Sequence, residues 1–385
     1  MLEIKEQSYP SKIAYHNGIK FAFLFVLPQV ISFIWVPYNI LNPFWLVYFL
    51  FITCFAIRHY DNLRKRDMRL PLVLFAVICI GSVLTMFVGI PIGGVILKIS
   101  IAFIGFVGYG YLSHNKIDPR FFNYVFPLLY IFFFIVYFRY DAFHRQSLDG
   151  DLFGHSSSNT ISMVLTNVWF FYYIISKVEK RNNNLPLFFF SVINLFLIVV
   201  QGSRGGIVVA TIEFMLLLSS SMPHNNTILF IIFMGLGIIL FGKYGFYLED
   251  IIEVEGMQGV DSFEDNTRSL AQAAFFSKMN TTFFIFGFPP NAEFGFETRT
   301  FNAFLDFWSR FGIFPFLLVI VLSLRRVLCC RSFVVSLFDF VPWFFYSLVE
   351  SLWGGSLWDI LLYIFLFYSY KSNICIHDRK NSESI

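Results

Sequence analysis

The chain has 385 residues, of which 57% are hydrophobic and 14% charged, with a net charge of +3 and a mean hydropathy of +0.67. Soluble domains carry about 25% charged residues, so this composition excludes an ordinary soluble domain. The apolar residues recur in blocks of about 17–22, the length that a helix needs to cross the hydrocarbon core of a membrane. The sequence therefore predicts an all-α, polytopic integral membrane protein, with residues 1–385 forming a single membrane domain.

The apolar blocks predict about twelve membrane-spanning helices. In chain order these spans cover residues 20–36, 41–57, 70–89, 97–113, 121–138, 159–176, 185–201, 205–221, 227–243, 303–324, 332–349 and 356–370. One connection is much longer than the others, and it joins the ninth span to the tenth at residues 244–302. Adjacent spans need only a few residues between them, and a loop of about 55–60 residues usually carries function.

Most of the 28 Lys and Arg residues lie in alternate connections, such as the segments 57–70 and 325–331. Connections rich in Lys and Arg face the cytoplasm, so this pattern predicts that both termini are cytoplasmic. It places the segment 139–158, the turn at 201–206 and the large loop 244–302 on the outer face of the membrane. Arginines are scarce on that face, so those present there are candidate functional residues.

The first candidate is Arg204, in the sequence QGSRGG between spans seven and eight. Gly202 and Gly205, which flank Ser203 and Arg204, allow a tight turn and a close approach of the backbone to a ligand. Span eight starts at this point, and the free N–H groups of a helix N-terminus favour anions. An arginine there is unfavourable unless an anion joins it to the helix, and guanidinium binds phosphate oxygens bidentately. The turn predicts a phosphate or pyrophosphate site; the alternative is an arginine that extends to lipid headgroups.

The large loop has two parts of different character. Residues 249–265 are acidic, which indicates a solvated segment. The following DNTRSLAQAAFF starts with residues that cap helices and predicts a short helix lying at the membrane interface. Arg268 stands at the start of this helix, where again it is unfavourable without an anion. FGFPPN at 286–291 then predicts a turn.

The end of the loop carries polar residues into span ten. In FNAFLDFWSRFG, the residues Asn302, Asp306, Ser309 and Arg310 recur at helical spacing and form one polar stripe, and Arg299 lies just upstream. A polar stripe at the mouth of a span either faces a cavity or forms a packing network between helices. The stripe is therefore a candidate part of the same outer site.

The segment GHSSSNTIS before span six supplies two further candidates. His155 could act as a base, although a lone histidine is more often without a role, and Asn159 caps or lines the start of the span. The sequence has no zinc spacing, nucleotide-binding loop or aspartate-rich metal motif. We therefore expect neither a metal nor a cofactor, and nothing indicates a nucleic-acid partner.

Three features together resemble the O-antigen polymerase (Wzy) family, within the superfamily of O-antigen polymerases and ligases. They are GHSSSNTISMVL before span six, QGSRGG between spans seven and eight, and an outer loop that runs from Arg268 through FNAFLDFWSRFG into span ten. The resemblance covers residues 150–320 and the arrangement of about a dozen spans. It implies a metal-independent glycosyltransferase on the periplasmic face of a bacterial inner membrane, which joins repeat units linked to undecaprenyl pyrophosphate.

The resemblance also implies roles for individual residues. Arg204 and Arg268 would bind the pyrophosphate leaving group, where they would stabilise its developing charge. The partners implied are undecaprenyl-pyrophosphate-linked oligosaccharides and membrane lipid, and whether a chain-length regulator also binds is left open. A general base must reach the acceptor hydroxyl, and the sequence offers Glu297 and Asp306 as candidates, with His155 as a weaker one.

Two alternative functions remain open from the sequence. O-antigen ligases place a histidine just before the Asn of an N-x-(F/Y)-L segment, and Phe301 occupies that position here, which favours the polymerase. A lipid-linked glycan flippase or another twelve-span carrier would also fit the number of spans. Many carriers contain internal repeats, whereas the long outer loop of this chain has no counterpart in its first six spans.

The predicted orientation is tested with reporter fusions. A reporter that is active only in the periplasm should be active when fused near residue 270 and inactive when fused near residue 65, because these segments lie on opposite faces. The reverse pattern, or activity at both positions, would contradict the assignment of the two faces.

Overall fold

In the computed structural model of the protein, every regular element of the described residues is helical. The residues that the structure describes are 12–28, 30–31, 42–139, 159–179, 183–201, 204–220, 267–289, 292, 302–329, 340, 343–344, 347 and 359–367. The prediction of an all-α protein is confirmed for these residues.

Thirteen of the helices position the parts of the molecule discussed below. They are α1 (Lys12–Phe21), α2 (Pro43–Arg58), α3 (Arg69–Leu84), α4 (Ile92–His114), α5 (Phe122–Arg139), α6 (Asn159–Val178), α7 (Asn184–Gln201), α8 (Arg204–Ser220), α9 (Thr267–Ser277), α10 (Thr281–Phe286), α11 (Ala303–Phe311), α12 (Ile313–Cys329) and α13 (Asp359–Phe367). Short irregular helices adjoin them at Ala22–Val26, Tyr60–Leu63, Arg66–Met68, Thr85–Val88 and Pro119–Phe121.

Most of these helices coincide with the apolar blocks of the sequence, but the tenth block differs. The structure divides residues 303–324 into α11 and α12, because Gly312 has a φ of 78° and ends the first helix. The prediction of one continuous helix there is wrong. Two predicted spans lie wholly or mostly outside the described residues, namely 227–243 and 332–349. The first part of the large loop, residues 244–266, also lies outside them.

The described part contains two helical stretches that are long and apolar enough to cross a membrane. They are Arg66–Val88 and Ile92–His114, each of 23 residues, with mean hydropathies of 2.5 and 1.9. Shorter apolar helices occur at Pro43–Arg58, Pro119–Ile135, Asn184–Val199 and Gly206–Leu217. This architecture is compatible with a membrane protein.

Several helices expose continuous apolar stripes. The exposed side chains of α7 recur every three or four residues, and so do those of α5 and α12, which places each set on one helix face. These side chains are Leu185, Phe189, Val192, Phe196 and Val199 on α7, Leu128, Ile131, Ile135 and Phe138 on α5, and Phe314, Leu317, Val321 and Leu324 on α12. Large apolar patches on a protein surface mark contact with a membrane or a partner, so the stripes agree with the membrane reading.

Two helices lie inside the bundle. All side chains of α6 from Ile161 to Ser176 are buried, and so are those of α13 from Asp359 to Leu366. The large rings pack closely around α6, where Trp169 stacks on Tyr173 with ring centroids 5.1 Å apart. The bundle is therefore organised around helices that have no exposed face.

Several connections meet at one end of the bundle, which we call the basic end. The side chain of Asn17 donates to the Lys116 carbonyl, and the Asp118 N–H donates to the Ala14 carbonyl at 3.0 Å. The Ile117 N–H donates to the Glu179 carboxylate, which brings the end of α6 to the same place. His114 lies 3.6 Å from Asp67, so the connection between α2 and α3 also lies here. All of these segments belong to connections predicted to face the cytoplasm.

The opposite end of the bundle, which we call the loop end, carries the segment 281–312. Phe87, after α3, packs against Phe286 with ring centroids 5.2 Å apart. Lys98, in the second turn of α4, donates to the Arg310 carbonyl at the end of α11. Since α4 runs from Ile92 at this end to His114 at the basic end, the two ends are separated by a full helix of 23 residues, about 35 Å long.

Candidate functional site

The loop helix α9 packs against α11, the helix just before α12, through a small apolar cluster at the loop end. Ala271 and Phe275 of α9 are buried together with Phe288, and Leu305 and Trp308 of α11 pack against them. The Phe275 ring lies 4.9 Å from Phe288 and 5.7 Å from Trp308, measured between centroids. The helix predicted in SLAQAAFF is confirmed, and it is fixed to the segment that carries the polar stripe.

Two glycines allow the loop to approach this segment closely. Gly287 has a φ of 83° and Gly312 a φ of 78°, conformations that other residues rarely adopt. A Cβ on Gly287 would collide with the Ser309 carbonyl oxygen, and a Cβ on Gly312 would collide with the Ile285 carbonyl oxygen. The two turns therefore face each other backbone to backbone.

Hydrogen bonds hold the two turns together. The Phe288 N–H donates to the Ser309 carbonyl at 2.8 Å, and the Trp308 indole N–H donates to the Phe284 carbonyl at 3.0 Å. The Trp308 ring also stacks on Phe316 of α12, with centroids 5.2 Å apart. The turn predicted at 286–291 is thus part of a docked structure, although residues 290 and 291 lie outside the described part.

The residues of the polar stripe have different surroundings in the structure. Asn302 precedes α11 as its N-cap, and its side chain accepts from the Phe304 N–H at 3.0 Å and the Leu305 N–H at 3.2 Å. Asp306, a candidate base, is only 3% exposed, so its carboxyl group lies inside the bundle. Arg310 is in the last turn of α11, where a cation is favoured by the helix dipole.

Lys98 of α4 contacts the end of α11, and the sequence alone does not indicate this contact. Its amino group donates to the Arg310 carbonyl at 2.6 Å and lies 5.7 Å from the centre of the Phe311 ring. This contact fastens α4 to the C-terminus of α11. No signal for it exists in the local sequence around Lys98, because its partner lies in a distant helix.

The described helices show where the two arginines of the predicted anion site lie along the chain. α6 ends beside Glu179 at the basic end, and α7 runs back along α6, since the Asn183 side chain donates to Ser176 and the Trp169 indole N–H donates to the Leu187 carbonyl. Arg204 is the first residue of α8, the next helix. Arg268 is in the first turn of α9, which packs at the loop end. The side chains of both arginines lie outside the described residues.

The remaining predicted site residues fall mostly beyond the described part. Gly205 belongs to the first turn of α8, and Asn159 is the first residue of α6, but its side chain is not among those described. Glu297, His155, Gly202, Ser203 and Arg299 lie outside the described residues. Within the described residues, no group of three or more His, Cys, Asp or Glu side chains could hold a metal ion.

Comparisons with protein-family models, with curated proteins and with solved structures find no match for this chain. The class that the fold defines is an all-helical protein compatible with a membrane location.

The close approach of the two turns predicts that Gly287→Ala and Gly312→Ala lower stability more than Gly89→Ala. Gly89 is the control for a positive φ, because it has a φ of 85° but no atom within 4 Å of a Cβ placed there. Alanine costs about 1–2 kcal/mol at Gly89, where ψ is 15° and the backbone is left-handed helical. Gly287 and Gly312 have ψ values of −173° and −176°, a conformation that is essentially restricted to glycine, and alanine there also collides with a carbonyl oxygen. The measurement is the thermal unfolding midpoint of each purified variant; equal lowering in all three would contradict the docking.

The position of Asn302 predicts that its side chain acts as a helix cap. Asn302→Ala should lower the stability by about 1 kcal/mol, whereas Asn302→Asp should stay close to the wild type because aspartate also accepts from the helix N–H groups. Unfolding midpoints of the two variants test this. If the aspartate variant is as unstable as the alanine variant, Asn302 acts through its amide N–H instead.

Proposed function

We propose that the protein is an O-antigen polymerase, a polytopic inner-membrane enzyme with about twelve spans that joins lipid-linked oligosaccharide repeat units on the periplasmic face. The observation that carries the proposal is the packing of α9 on α11 at the loop end. It fixes the helix that carries Arg268 in its first turn at the loop end, and we infer that the start of α8, with Arg204, faces the same site. The resemblance of both segments to the polymerase family supports the same conclusion.

The proposed site acts on a diphosphate leaving group. A hydroxyl of one lipid-linked repeat unit attacks the anomeric carbon of the growing chain, and the bond from that carbon to the pyrophosphate oxygen breaks. The electron pair leaves with undecaprenyl pyrophosphate, and a base takes the proton of the attacking hydroxyl. Arg204 and Arg268 bind the phosphate oxygens, so that their charge stabilises the negative charge that develops on them. Such a single displacement inverts the anomeric centre.

The positive charge at the loop end supports anion binding at this place. Arg310 lies in the last turn of α11, and α8 and α9 each carry an arginine in the first turn, where the helix N–H groups also favour anions. Among the candidate bases, Asp306 is buried, so Glu297 is the one that we propose for the acceptor hydroxyl.

The proposal is tested by complementing a strain that lacks the gene. That strain should make lipopolysaccharide with a single repeat unit, and the wild-type protein should restore the ladder of longer chains. Arg204→Ala and Arg268→Ala should each abolish the ladder at a normal protein level, because the leaving group loses a charge-assisted contact. Arg204→Lys should also restore it poorly, since lysine cannot bind two phosphate oxygens in the same way.

The matched control is Lys65→Ala, which removes an exposed cation at the basic end and should leave the ladder intact. Ladders of wild-type length from both arginine variants would remove the proposed site. Complete absence of O-antigen in the deletion strain would contradict a polymerase and would instead indicate the ligase or the flippase.

A further inference from the structure

Glu213 is a buried acid in the middle of α8, far from the loop-end site. Its side chain is 0% exposed, and neither of its carboxylate oxygens has a hydrogen-bond partner. It follows Arg204 by nine residues, which places it about 13–14 Å deeper along the helix axis. This depth is close to half the thickness of a bilayer core of about 30 Å.

Polar groups from neighbouring helices lie at a similar depth. The Tyr130 hydroxyl of α5 donates to the Asn194 side-chain oxygen of α7 at 2.8 Å and to the Phe190 carbonyl at 3.1 Å, and it also interacts electrostatically with Glu213. The amide nitrogen of Asn194 has no hydrogen-bond partner. Tyr130, Asn194 and Glu213 therefore form a polar group, which we call the midplane triad, that has both donor and acceptor capacity left over.

Among the described residues at this depth, no cation balances an ionised carboxylate at Glu213. The described helices that pack most extensively against α8 are α6 and α7, and their buried polar residues include Thr166, Asn167 and Asn194, none of which titrates. Tyr130 is the titratable group that interacts with Glu213. An isolated buried carboxylate is very costly, so the group must bind a positive species when it is at rest in the bundle.

We propose that Glu213 is a reversible proton-binding site in the middle of the membrane. A proton satisfies the site with one oxygen atom, whereas a sodium ion needs several oxygen ligands around it. The triad offers groups for both protonation states, because the Asn194 amide N–H, which has no partner, is a donor for the carboxylate and the Asn194 oxygen is an acceptor for the acid. Ionisable residues at this depth commonly serve as proton relays in membrane proteins.

This inference does not rest on the proposed polymerase activity. The triad is separated from the loop end by about two and a half turns of α8, and none of its residues belongs to the proposed anion site. A proton site at the midplane would make some step of the protein's cycle depend on proton binding, whatever the substrate is.

The test is chemical labelling of the full-length protein in lipid nanodiscs with dicyclohexylcarbodiimide. This apolar reagent adds the O–H of a protonated carboxylic acid across one of its C=N bonds and does not modify a carboxylate in the same way. Mass spectrometry should locate the label on Glu213 at low pH. Labelling should fall about tenfold for each pH unit above the midpoint, as expected for a site that binds one proton.

Two controls keep the result specific. Asp118 is also buried, but it accepts from the Arg120 N–H and lies 3.6 Å from the Arg120 guanidinium group, so it should stay unlabelled. Glu213→Gln should fold normally, because glutamine matches the acid in shape and cannot ionise, and it should lose the label at position 213. Its fold is checked by its elution profile.

Three outcomes would overturn the inference. Absence of label on Glu213 at every pH would show that the acid is not protonated in the membrane. Labelling that stays constant over the whole range in which the protein remains folded would show a permanently neutral, structural acid. Protection by sodium chloride at constant pH, but not by choline chloride, would show that a sodium ion rather than a proton occupies the triad.

Discussion

The docking of the Gly287 turn onto the end of α11 is the contact on which the rest of the loop end depends. The Phe288 N–H bond to the Ser309 carbonyl joins two backbones that only glycine allows to come so close. Around this contact the apolar cluster of Phe275, Phe288 and Trp308 fixes the loop helix α9 on the bundle. A long loop that would otherwise have many orientations thus presents its first turn, with Arg268, at a defined end.

Charged residues are distributed along the bundle axis according to whether their surroundings at that depth are polar or apolar. Lys98 and Arg310 lie at the loop end, and Asp67, Asp118 and Glu179 take part in contacts at the basic end, where their partners are polar. Between the two ends α5, α7 and α12 each expose an apolar stripe, as lipid requires. Glu213 is buried at the middle level with no hydrogen-bond partner for its carboxylate oxygens, and a buried acid of this kind carries a cost that function usually explains. The anion site and the proton site would then be two separate chemical centres on one helix, α8.

Within the described residues, the sequence predicts most of the helices, because a run of apolar residues in this length range has few other solutions. It also locates the loop helix after residue 265 and the turn at FGFPPN, since capping and turn residues act locally. It misses the break at Gly312, because a glycine within an apolar run gives no sign of its φ. Lys98 and Glu213 were missed for a different reason: the role of each depends on residues of other helices, Arg310 for the first and Tyr130 and Asn194 for the second.

The central claim is that Arg204 and Arg268 bind one diphosphate. The most direct measurement is the affinity of the purified protein for undecaprenyl pyrophosphate, compared among the wild type, Arg204→Ala, Arg268→Ala and the double variant. We expect each single variant to lose affinity by about tenfold or more, and the loss in the double variant to differ from the product of the two, because groups that share one ligand are coupled. Wild-type affinity in either single variant would contradict it.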